Sequence, residues 1–242
     1  MTKNEPDFLN FLKAREMNLM DPWGFPKIRG ILLKHPDEVN MIGFNYATNP
    51  ATKDKENLWV HFFLPDYRFQ QVWNHPENYI DCFKQYRGIV SPDFSMYVGM
   101  AKAMQLFQVY RMAFLTSYYQ QHGIKVIPSV TWAEKDTFDW CFSWIPKGSA
   151  VVCSTVGCVQ NKDARRAFLV GYEEMLARVQ PSSVIIYGHE IPEATEMYPD
   201  FCRVPDMMEV RKKTALRGEP KHWETIDMID TSRITDKESS HG

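Results

Sequence analysis

Two acidic side chains stand where apolar, β-branched runs give out. Asp93 follows the run Gly88-Ile89-Val90-Ser91-Pro92, and Glu190 follows Val184-Ile185-Ile186-Tyr187-Gly188 with His189 between them. Two carboxylates on one rim are what cleavage of a glycosidic bond uses. One stabilises or attacks an oxocarbenium-like carbon, and the other handles a proton or a water. Asp93 and Glu190 are the candidates for this pair of roles, and His189 beside Glu190 is a candidate base. Each residue also has a plainer use. An Asp after a strand serves as a helix cap or loop acceptor, and a Glu in a first helical turn opposes the helix dipole. His189 as a metal ligand would need Cys158, Asp93 or His61 to converge on it, and no spacing demands that. No metal and no cofactor is expected.

Other strand exits carry groups suited to a polar, neutral ring. Tyr46, Phe94, Trp132 and Tyr187 are aromatic residues at different exits, each a candidate to sandwich a sugar or base and each also a candidate for the core. Asn45, Ser95, Ser129, Thr131, Ser154 and Thr155 add neutral hydrogen-bonding groups beside them. Phosphate is expected at Arg165 and Arg166, near the start of an amphipathic segment, and along the basic stretch with Arg211, Lys212, Lys213, Arg217 and Lys221. Cys158, in a Gly-Cys step before a helix, is a candidate thiolate. Cys153 lies within an apolar strand and reads as inert.

The elements that must position these residues are legible between Gly88 and Glu190. Four short runs, GIVSPDFS, KVIPSVTW, SAVVCSTVG and SVIIYGHE, alternate with segments of helix length. Strand, helix, strand, helix is the pattern of right-handed parallel crossovers, whose strand ends share one rim. NMIGFNYA, LWVHFFLPD and ILLK are earlier candidate strands. Helices are expected from about Met100 to His122, from Asp136 to Ile145, from Asn161 to Val179, and from a start at Asn74-His75-Pro76-Glu77, with Pro76 in the first turn, through the apolar positions Tyr79, Ile80, Phe83 and Tyr86. Neither G-x-G-x-x-G nor a phosphate-binding P-loop follows any strand. The fold expected is α/β, a (β/α) barrel-like parallel sheet of regular or irregular build. It forms one domain over residues 1–242, with an N-terminal clasp over 1–30 and a basic, partly disordered tail over 205–242.

Composition narrows the function classes. The chain has 242 residues, 44% of them hydrophobic and 24% charged, enough for a full core. A net charge of -2 gives no global pull on nucleic acid, so any such contact must be local. Five cysteines without a C-x-x-C pair, and a polar opening, point to a reducing cytoplasmic setting rather than a disulfide framework. No run is apolar for long enough to span a bilayer, and no membrane partner is expected. Oligomeric state is left open.

The series SPDFS, GIKVIPSVTW, CSTVGC and IIYG resembles an uncharacterised family carried by phages, prophages and plasmids, over roughly Asn40 to Glu190. More remotely, the layout is similar to the barrel of tRNA-guanine transglycosylases and of phage-targeting DNA glycosylases. That likeness implies that Asp93 works on an N-glycosidic bond. The cysteine-rich zinc motif of the transglycosylases is missing here, which implies hydrolysis rather than base exchange. The expected function is therefore a hydrolase cleaving the N-glycosidic bond of a base in nucleic acid, DNA before RNA, in a phage, mobile-element or anti-phage context. The alternatives are a non-catalytic DNA- or host-protein-binding accessory protein, and a hydrolase acting on a small glycoside or nucleoside.

Overall fold

The computed structural model describes residues 7–34, 39–210 and 212. It falls into a unit spanning Met1–Val204 and a second beginning at Pro205. The described part of the second is a short helical turn, in which Val210 N–H bonds to Asp206 O at 3.0 Å and Glu209 N–H to the Asp206 side chain at 2.9 Å. The basic residues Arg211, Lys213, Arg217 and Lys221 lie outside the described residues.

The first unit opens with α1 (Phe11–Ala14) and an antiparallel pair, β1 (Leu19–Met20) and β2 (Phe25–Pro26). Then β3 (Asn40–Gly43) leads into α2 (Phe44–Ala47), and β4 (Leu58–His61) leads into α3 (Gln70–Asn74) and α4 (Ile80–Phe83). The strand β5 (Gly88–Val90) precedes α5 (Lys102–Gln121), and β6 (Val126–Ile127) precedes α6 (Phe138–Cys141). Last come β7 (Val151–Ser154), α7 (Lys162–Val179), β8 (Val184–Tyr187), α8 (Pro192–Met197) and β9 (Cys202–Val204).

From β3 onward every strand pairing is parallel and sequential. One sheet runs β3-β4-β5-β6 and the other β7-β8-β9. A parallel bridge between Ser129 and Val152 joins them, with Val130 N–H to Val152 O and Val152 N–H to Pro128 O both at 2.9 Å. The four runs expected to be parallel strands are β5 to β8.

Alternation along the strands separates two cores. Val60, Ile89, Val126, Val151, Cys153, Val184 and Ile186 face the helices. Trp59, Val90, Ile127, Val152, Ile185, Tyr187 and Val204 make a second cluster on the other face, to which no helix contributes among the described residues. That face is concave. Tyr187 at the end of β8 has its ring centroid 4.5 Å from that of His61 at the end of β4. It also lies 4.7 Å from the ring of Phe63. Four strand spacings in a flat sheet would hold them roughly 19 Å apart. The sheet is therefore rolled. Among the described residues no ladder joins β9 to β3, so the rolled strands form no closed barrel among them.

Helix α5 is buried without a break from Arg111 to Gln120, because the sheet covers one side and the N-terminal segment the other. There Ser117 Oγ donates to Lys27 O at 3.1 Å, and Gln120 exchanges bonds with the backbone of Arg29. Three expected elements differ. ILLK forms no strand and offers the carbonyl of Ile31 to Ala150 N–H. The helix expected to start at Asn74 to Glu77 shrinks to α4 after a 3-10 turn over Pro76–Tyr79. The helix from Asp136 to Ile145 shrinks to α6 behind a 3-10 turn over Lys135–Thr137.

Candidate functional site

The strand ends of β5 and β6 are stitched by serines. Ser91 Oγ accepts from Ser129 N–H at 2.7 Å, and Ser129 Oγ donates to Asp93 Oδ1 at 2.8 Å. Asp93 is half-buried, and burial pushes its carboxyl up to about 6. The hydroxyl of Ser129 pulls against that rise, whereas the negative charge of Asp66 adds to it. Asp66 follows β4 by a Pro-Asp step, as Asp93 follows β5. It anchors the next loop by accepting from Ser95 N–H at 3.1 Å and Ser95 Oγ at 2.7 Å.

Phe94, between these anchors, is fully buried. Its ring lies 5.1 Å from Phe69, and the Arg111 guanidinium sits 3.6 Å from its centroid. Arg111 donates to Gln70 Oε1 at 3.0 Å and also to Gln108. Burial lowers Arg111 to about 10, with Asp66 opposing the fall.

On the concave face His61 is buried, and burial holds it down to about 3. Its Nδ1 accepts from Phe63 N–H at 3.2 Å, so the neutral ring carries its proton on Nε2. Tyr187 lies against it. Asn45, just past β3, has a buried Oδ1 with no hydrogen-bond partner, and Tyr46 beside it is buried.

The loop that carries Asp93 also supplies Met96 and Val98 to a cavity of about 190 Å3. Thr131 and Trp132 from the exit of β6, Ser154 and Cys158 from that of β7, and Phe168 from α7 complete much of its wall. Burial pushes the thiols of Cys158 and Cys153 up, against a thiolate role. Of the expected ring-binding residues, Trp132 and Ser154 share this cavity, while Phe94 and Tyr187 pack elsewhere.

Glu190 and His189 are exposed, and Glu190 is not among the residues of the cavity walled by the Asp93 loop. The chain turns at Gly188, whose φ of 118° favours glycine, and Thr155 Oγ1 donates to His189 O at 2.7 Å. Glu190 then lines a small cleft on the helix side with Tyr172, Ile186 and Ala194. The carboxylate that acts on Asp93 is thus Asp66, which the sequence reading passed over. Its signal was the repeated Pro-Asp step. Arg165 pairs with Glu193, and Arg166 and Lys212 are exposed. Among the described residues no group of three or more His, Cys, Asp or Glu is placed to hold a metal ion, and no helix is long and apolar enough to cross a membrane.

The family model described as "Domain of unknown function (DUF4417)" matches residues 17–205. The chain belongs to this family. That match takes in all the parallel strands and every rim residue above. The chain is also similar to the Gene 1 protein of Mycobacterium phage L5, at 39% identity over 168 residues, 69% of each chain. With the Gene 1 protein of Mycobacterium phage D29 it shares 38% identity over 149 residues, 59% of this chain and 55% of that protein. No solved structure matches. The DUF4417 assignment and the phage relatives agree with the phage-borne family that the motifs resemble. Neither mentions a transglycosylase.

Proposed function

We propose that this chain is a hydrolase that cleaves the N-glycosidic bond of a base in nucleic acid, DNA before RNA, in the cytoplasm and in a phage or anti-phage context. The rolled sheet is, in this reading, an irregular (β/α) barrel with its chemistry at the carboxyl ends of the strands. The observation that supports it is the setting of Asp93: a half-buried carboxyl at a strand end, pushed up to about 6, and aimed by Ser129. Ionised in so poorly solvated a place, it gains most when a positive charge develops on the sugar carbon beside it. Asp66 is the second carboxylate, in the role expected of Glu190. Arg166 is exposed, is free of ion pairs to acidic side chains among the described residues, and is available to phosphate.

A non-catalytic binding module is the second reading. What favours it is that Glu190 lines a cleft on the helix side rather than the cavity walled by the Asp93 loop. Incubation with DNA from several phages, followed by mass spectrometry of released bases, decides between them. Free base from the wild-type chain and none from Asp93→Asn supports the hydrolase. Binding of intact DNA with no base released by either protein supports the module.

A further inference from the structure

We infer that the cavity of about 190 Å3 at the exits of β6 and β7 receives a neutral base of a single six-membered ring. The inference rests on the hydrolase reading above and adds to it the class of base released.

Size is the first argument. An apolar cavity of about 150 Å3 accommodates a benzene ring. Scaled by non-hydrogen atoms, a single-ring base of eight or nine needs roughly 200 to 225 Å3 and a fused two-ring base of ten or eleven roughly 250 to 275 Å3, so the space here suits the first and falls well short of the second.

Lining chemistry is the second. The walls carry no charged side chain. Trp132, Phe168 and Met96 give apolar surface, and the polar groups are neutral ones on Thr131, Ser154 and Cys158. Such walls accept an uncharged heterocycle and penalise an ion.

Rigidity is the third. The Trp132 indole donates to Ala167 O at 3.2 Å and packs 5.3 Å from Phe168 and 5.9 Å from Phe142. A Cβ on Gly171 would meet its Nε1 at 2.1 Å, so α7 is shaped to this indole. The opposite wall comes from the Asp93 loop, which is latched from outside. Glu134 accepts from Gly99 N–H at 2.7 Å, Lys102 Nζ at 3.0 Å and Gln105 Nε2 at 3.0 Å. These bonds hold the Glu134 carboxyl down to about 2. The cavity is thus pre-formed, and its two walls continue from the residues that carry Asp93 and Ser129.

The test titrates the full chain with free thymine, cytosine, adenine and guanine by calorimetry, and repeats this with Ala164→Leu and Ala167→Phe, which fill the cavity from α7. The single-ring bases should bind at least tenfold more tightly than the two-ring ones. At least one filling variant that keeps the wild-type melting profile should weaken single-ring binding tenfold or more. Equal or tighter binding of adenine and guanine, or unchanged binding in both folded variants, overturns the assignment. If both variants melt early, Thr131→Val, which keeps the shape and removes one polar group, replaces them. A threefold or greater loss of single-ring binding supports the assignment and no change overturns it. Selective single-ring binding with no base ever released from DNA sinks the hydrolase and leaves the cavity assignment standing. Release of purines alone removes the cavity assignment and leaves the hydrolase.

Discussion

Ser129 Oγ donates to Asp93 Oδ1 at 2.8 Å across the ends of two neighbouring strands, and this bond opposes both burial and Asp66 in setting the Asp93 carboxyl near 6. If the ionised form does the work, base release falls as pH drops through about 6. Two substitutions then move that acid limb in opposite directions. Ser129→Ala removes a donor that favours the carboxylate and shifts the limb to higher pH. Asp66→Asn removes a like charge and shifts it to lower pH, while its amide oxygen still serves Ser95. Release rates from pH 4.5 to 8.5 measure both, and shifts of the same sign in the two variants would contradict the assignment.

Asp93 also has a signature in stability that does not depend on catalysis. Its folded value is raised to about 6 from an ordinary 3.8, so between these the folded chain holds a proton that the unfolded chain has lost. Stability contributed by the protonated group is then lost as pH rises through that window. Asp93→Asn carries no such penalty. Urea unfolding of the two proteins should show the variant gaining on the wild type by on the order of 2 kcal/mol between pH 4 and 7. Parallel curves would mean that the carboxyl is better solvated than its setting implies.

His61 predicts the opposite slope. Its ordinary value of 6.5 falls to about 3 in the fold, so between these the unfolded chain takes up a proton that the folded chain refuses. The stability this gives is complete above about 6.5 and drains away as pH falls towards 3. His61→Asn retains an acceptor near Nδ1 for Phe63 N–H and does not titrate. From pH 7 to pH 4 the wild type should lose roughly 3 kcal/mol more than the variant. Equal losses would show that water reaches the ring.

What the sequence made legible were β5 to β8, because each is an apolar run closed by small polar residues, and a helix-length spacer forces parallel pairing. β9 was missed: with Arg203 in the middle of three residues, it shows no periodicity and forms only by adding to β8. Pro76 reads as the opening of a continuing helix, whereas the chain makes a 3-10 turn there before α4. Asp93 was readable as a carboxylate after a strand, but its neighbours were not. Asp66 meets Ser95 across 29 residues, a contact no local pattern encodes. The direction of Glu190 depends on the turn at Gly188, which sends it towards α8.

Trp132 and Gly171 give the last prediction. With a Cβ at Gly171 only 2.1 Å from Nε1 and 2.2 Å from Cδ1 of the indole, Gly171→Ala must push the ring off α7 or the helix off the sheet. Overpacking of this kind costs about 1 to 3 kcal/mol. The cost arises from one pair, so a smaller ring should relieve it. In a double-mutant cycle, Gly171→Ala in a Trp132→Phe background should cost at least about 1 kcal/mol less than in the wild type, a coupling expected of residues in contact. Trp132 bounds the cavity, so the single variant should also lose binding of single-ring bases, while Asp93 keeps its titration because Ser129 and Asp66 are untouched. Additive costs would show that the helix, not the indole, absorbs the added methyl.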